Sequence, residues 1–157
     1  MRKRILITIL MVIILGIFYI ILFNFFTKEY KPSNDEIALH LKLNTKEDVG
    51  LIVFDYQANN HQYSGGISNA DRTPFKNNSD NIQVWSKDQL NSNSDSVEMT
   101  IKIRIITSYV DPNYENIYPE ELTKYIDSIS WKAYFGQSYY ITITGDKHTG
   151  YKAVLSK

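Results

Sequence analysis

Cysteine is absent from the 157 residues. Its absence excludes disulfides, thiolate nucleophiles, thiolate metal sites and lipid attachment through an N-terminal cysteine. A surplus of either charge is absent too. Lys+Arg and Asp+Glu are both 17, so the chain lacks the basic excess on which nucleic-acid affinity rests. Histidine is scarce: His40, His61 and His148 fall in none of the H-x-H, H-x-x-x-H or H-E-x-x-H spacings that bring two imidazoles to one metal. No internal repeat and no cofactor motif is present. The sequence therefore leads us to expect no metal, no cofactor and no catalysis.

What the chain does have is unevenly distributed. Residues 5–26, ILITILMVIILGIFYIILFNFF, carry no charge and only Thr8 and Asn24 as clearly polar side chains. As a helix this run reaches about 30 Å, the thickness of a bilayer's hydrocarbon core. Arg2-Lys3-Arg4 precedes it, and removing those three leaves 14 basic residues against 17 acidic ones. The positive-inside rule then predicts a cytoplasmic N-terminus, a single spanning helix and an extracytoplasmic remainder. A cleaved signal peptide has a shorter apolar stretch and a small-residue exit. Here the exit runs through Phe23, Asn24, Phe25, Phe26 and Thr27, which favours an uncleaved anchor.

Three segments follow from this: an anchor with its basic tip over 1–27, a juxtamembrane tether over 28–50, and an extracytoplasmic domain over 51–157. Within the tether, Ser33-Asn34-Asp35-Glu36 has the spacing of a helix capping box. Ile37, Leu39, Leu41 and Leu43 alternate as a strand would. The cap tips the expectation toward a short helix.

From Leu51 onward the pattern is β. Leu51–Tyr56 and Gln62–Ser64 flank turn residues and read as a hairpin. Val97–Ile105 alternates strictly, with Glu98, Thr100, Lys102 and Arg104 on the wet face. Ser130–Phe135, Tyr139–Thr144 and Tyr151–Leu155 add further strands, and Gly145–Gly150 supplies a turn. Pro119-Glu120-Glu121 ahead of Leu122–Ile126 predicts a short helix. The polar stretch 69–96 reads as a long excursion pinned by Trp85. The fold class expected is mainly β, an antiparallel sandwich with one or two short helices behind a transmembrane helix. Over 129–155, the Tyr-rich closing hairpin resembles the last hairpin of immunoglobulin-like or fibronectin type III-like modules. It lacks the cysteine pair of antibody domains. That resemblance implies a sandwich and says little about function.

Two chemical constellations can be weighed. His61, Ser64 and Asp71, with Gly65-Gly66 as oxyanion donors, would be the parts of a hydrolase, but a hairpin turn carrying polar residues is the plainer reading. Asp111, Asn113 and Glu115 place alternate oxygens on one loop but lack the glycine and distal glutamate of a calcium loop, and an Asp-Pro-Asn turn is the plainer reading. Asn77-Asn78-Ser79 satisfies a glycosylation sequon.

Tyrosine is the most informative residue type, with twelve in the chain. Its ring and polar handle suit protein interfaces and stacking on sugars. Tyr134 and Tyr140 are out of phase with Trp131 and Ile141, so they face outward if the latter pair faces the core. With Tyr114 and Tyr118 they form the expected contact set. The expected partners are the membrane and either a protein or a cell-wall glycan, with no nucleic acid. The expected function is that of a non-catalytic module tethered at the cell membrane. An accessory subunit of a membrane complex and an envelope hydrolase are the alternatives; Gly16 alone as a small packing residue in the anchor disfavours the former.

Overall fold

The structure is a computed structural model describing residues 11–19, 30–111 and 117–156. The chain divides into two compact units, Met1–Tyr30 and Lys31–Lys157. In the first, residues 11–19 are helical and their large apolar side chains are exposed, Tyr19 at 69% and Ile13 at 52%. Among the described residues no helix is long and apolar enough to cross a membrane. The rest of the run over 5–26 and the basic tip lie outside them.

The second unit is a two-sheet sandwich. β1 (Glu36–Thr45), β4 (Asp80–Ser86), β8 (Gln137–Asp146) and β9 (Gly150–Ser156) form one sheet in the order β4-β1-β8-β9. β2 (Leu51–Ala58), β3 (His61–Ile67), β5 (Ser96–Ile106), β6 (Thr123–Tyr125) and β7 (Ile129–Tyr134) form the other, in the order β3-β2-β5 with β6 and β7 both along the far side of β5. Arg104 pairs Tyr125 and Ile101 pairs Ile129, leaving two residues between on β5 against three on the other strand. β6 and β7 are thus one strand broken by a single-residue bulge, with Ile126 N still donating to Ile103 O at 3.0 Å.

Three expectations need correction. The capping-box segment opens a strand, β1, and not a helix. Ser33 N donates to Glu36 Oε2 at 2.9 Å, as in a capping box, but Glu36 N bonds Ser33 O, closing a turn that feeds directly into β1. The alternation of Ile37, Leu39, Leu41 and Leu43 decides the outcome, because all four are buried between the sheets. What was expected to be tether is a central strand. Second, Pro119–Ile126 supplies only one 3-10 turn, Glu120–Leu122, before extending into β6. Third, the sandwich is not purely antiparallel: β1 and β8 pair in parallel, from Ile37↔Gln137 to Thr45↔Gly145. This central parallel pair and the β4-β1-β8-β9 order differ from the ABED and CFG sheets of immunoglobulin domains.

The core lies where the alternating faces meet. Trp85 of β4, 2% exposed, packs against Phe54 and Tyr56 of β2, with ring centroids at 6.3 and 5.0 Å. The polar excursion is therefore pinned by Trp85 as its sequence suggested, through a strand of its own. At the β7–β8 corner the chain passes from one sheet to the other. Buried Tyr139 holds this corner: its hydroxyl accepts from Tyr134 N at 2.8 Å and donates to Gln137 Oε1 at 3.2 Å.

Candidate functional site

The outer face of the β3-β2-β5 sheet carries a hollow. β2 and β5 pair with Val53 opposite Arg104 and Asp55 opposite Lys102, so the side chains of all four lie on the face turned away from the core. β3 adds Ser64 opposite Asp55 and Gly66 opposite Val53. Small residues at these two places leave space where a larger side chain would fill it. Toward the end of β5 this face is apolar: Leu51, Val53 and Ile106 are buried, and Tyr109, Val110, Tyr118 and Leu122 from the segment after β5 pack over them. Between that cover and the strands lies a cavity of about 600 Å³, with Asp55, Ser64, Gly66, Arg104, Tyr109 and Tyr118 in its wall.

Arg104 anchors the polar side. Its Nη2 sits 3.2 Å from Asp55 Oδ2 and 3.4 Å from Oδ1, and its side chain is 21% exposed against 51% for Asp55. Arg104 Nε is buried and has no hydrogen-bond partner among the described residues. Tyr109 donates its hydroxyl to Asp111 Oδ1 at 3.0 Å, and Asp111 also receives Arg72 Nη1 at 3.3 Å. Desolvation, then the Asp111 carboxylate, raises the Tyr109 phenol above its usual range, so it stays a neutral donor. A second hollow of about 560 Å³ shares Asp55 and Ser64 and continues along the same face to Gln57, Gln62, Thr100 and Lys102.

The expected contact residues are dispersed. Tyr118 belongs to the cavity wall. Tyr134 does face outward, but it pairs Ser96 at the opposite end of β5 from Arg104, about 26 Å away along the strand. Tyr140 faces outward on the other sheet, where its ring stacks on His40 with centroids 4.6 Å apart and lies under Lys42 Nζ at 4.4 Å. Tyr114 lies outside the described residues. Tyr118, Tyr134 and Tyr140 thus form no single platform. Asp55 and Arg104 were readable only as members of a wet strand face. The signal for the site was the break in alternation at Leu51-Ile52-Val53-Phe54, an apolar run that needs cover on both faces of β2.

The hydrolase constellation does not assemble. His61 pairs Ala58 on the core-facing register of β3 while Ser64 pairs Asp55 on the outer one, so their side chains leave the strand on opposite faces. Asp71 is occupied by Thr73, whose amide and hydroxyl donate to Oδ1 at 3.1 and 2.6 Å. Among the described residues no group of three or more His, Asp or Glu side chains is arranged to hold a metal ion. Asn113 and Glu115 of the weighed calcium loop lie outside them. Asn77, the sequon acceptor, is exposed, and its backbone N–H donates to Asp48 Oδ1 at 3.0 Å.

No protein-family profile matches the chain, and no curated protein does. Solved structures do. The membrane-binding domain of pneumolysin aligns over 78% of this chain and 96% of its own, at 10% identity and a TM-score of 0.39. A Gram-negative toxin aligns over 78% of this chain at 9% identity and a TM-score of 0.41, and the human-specific toxin intermedilysin over 78% at 11% and 0.37. The chain spans 23% and 24% of those two toxins. Likenesses this slight carry no functional implication.

Proposed function

We propose that the chain is a membrane-tethered, non-catalytic binding module, presenting a β-sandwich on the extracytoplasmic side of a membrane. The observation that carries this reading is the outer-face cavity. Its volume of about 600 Å³ falls within the range of small-molecule sites, and a few polar groups converge on a partly apolar wall, as in such sites. The tethering rests on the uncharged run over 5–26 behind Arg2-Lys3-Arg4. The apolar, exposed side chains of residues 11–19 favour it, since such a surface calls for apolar surroundings.

The test is a photoreactive phenylalanine analogue at Tyr118, in the full-length chain in its native membrane. A discrete crosslinked product that is absent when the analogue stands at Val154, on β9 of the other sheet, supports a binding site at the cavity. Equal labelling from both positions, or none from Tyr118, rejects it.

A further inference from the structure

Resting on that binding-module reading, we infer that the cavity beside Arg104 and Asp55 is a site for an uncharged oligosaccharide. The charge balance is the first reason. Asp55 already neutralises Arg104 at 3.2 Å. An anionic ligand would have to compete with that carboxylate, and a cationic one with the guanidinium. A neutral ligand displaces neither.

The second reason is hydrogen-bond chemistry. Arg104 offers donors only, Asp55 acceptors only, and Ser64 both. Neighbouring sugar hydroxyls each donate and accept, so a vicinal diol satisfies a carboxylate and a guanidinium standing side by side. The part of the Arg104 guanidinium open to the cavity, on a side chain 21% exposed, is the donor half of that pair.

Shape is the third. Tyr109 and Tyr118 give the wall aromatic surface, on which the C–H faces of a pyranose pack. The adjoining hollow that shares Asp55 and Ser64, and runs to Gln57, Gln62 and Lys102, extends the site along the strands. A single ring fills one hollow, whereas a chain of rings spans both.

Because the chain has no cysteine, a Ser68→Cys variant carries one environment-sensitive fluorophore at the cavity's rim. The full-length variant is titrated in a zwitterionic detergent without a sugar headgroup. Cellotetraose, chitotetraose, maltotetraose, glucose and the acidic sialyllactose are the probes. We expect saturable binding of at least one neutral tetraose, stronger than that of glucose. Arg104→Met and Ser64→Leu should each weaken it about tenfold, the cost of one hydrogen bond to a charged group or of a filled subsite. Each variant is first shown to unfold cooperatively; Asp55→Asn serves if Arg104→Met does not.

No response to any neutral tetraose at millimolar concentration overturns the inference, as does tighter binding of sialyllactose or indifference to Ser64→Leu. If the sugars fail while Tyr118 still crosslinks a protein, the ligand class is wrong and the binding module stands. If both fail, both readings fall.

Discussion

Tyr151 on β9 donates its hydroxyl to Glu47, in the loop after β1, across 104 positions of sequence. The same Glu47 oxygen accepts Lys147 N at 2.7 Å, and next to it Lys46 Nζ lies 2.7 Å from Asp146 Oδ2. Burial and the Glu47 carboxylate together push the Tyr151 phenol well above its ordinary value of 10.0. These contacts lock the β1–β2 loop to the β8–β9 turn, and so close one end of the β1-β8-β9 sheet.

Tyr151→Phe should therefore destabilise the fold by about 1 kcal/mol, the net worth of one buried hydrogen bond. A phenol whose folded value is raised gives stability that is complete below the unfolded value and fades as pH rises past it. The difference between parent and Tyr151→Phe should be constant below pH 10.0 and shrink above it. Denaturant unfolding at stepped pH checks both points, and a difference that grows in alkali would contradict them.

Asp146 supplies the acid side. The Lys46 ammonium, then the amides of Thr149 and His148, hold its carboxyl far below the ordinary 3.8. Its side chain is 8% exposed although Lys46 is 74% exposed. A depressed carboxyl contributes stability above the unfolded value and loses it as pH falls. Relative to Asp146→Asn, the parent's advantage should hold above pH 3.8 and diminish below it. An advantage unchanged down to the lowest pH at which the parent folds would refute the assignment.

Gly145→Ala should be far more damaging than an average substitution. Gly145 has φ +118°, and an added Cβ would stand 2.2 Å from the Gly150 carbonyl oxygen. The β8–β9 hairpin cannot form around that clash, so a loss of about 3 kcal/mol or more is expected. Gly150→Ala, at φ +89° but with open space around it, should cost less. Thermal unfolding of the two variants side by side provides the comparison.

Tyr140→Ala separates stability from binding. Tyr140 stacks on His40, which is 1% exposed and bonded through Nδ1 to Asp80 Oδ2 at 3.3 Å. Removing the ring uncovers that buried imidazole, at an expected cost of about 1–2 kcal/mol. Ligand binding at the Arg104 cavity, on the other sheet, should be unchanged. Lost binding in a fully folded Tyr140→Ala would put the site on the wrong face.

Legibility in the sequence followed the range of the interactions. The β2–β3 hairpin, β5 and the β8–β9 hairpin were readable because alternation and turn residues lie within a dozen positions of one another. β1 was misread because Ser33 and Glu36 satisfy the same local bond in a turn before a strand as in a helix cap. The alternation of Tyr134 and Tyr140 gave the outward direction correctly. It could not tell that Gly136, at φ +82°, turns the chain from one sheet to the other between them. Likewise Asp55 and Arg104 are 49 positions apart. Only the β2–β5 pairing brings them together.

The proposed role requires the sandwich to stand on the extracytoplasmic side of a membrane. In a chain without cysteine, Val154→Cys places one thiol at a site 66% exposed on β9, and Lys3→Cys places one in the basic tip. Labelling in whole cells with a membrane-impermeant maleimide should modify Val154→Cys directly and Lys3→Cys only after the membrane is opened. The reverse pattern, or recovery of the chain in the soluble fraction, would contradict the tethered extracytoplasmic module.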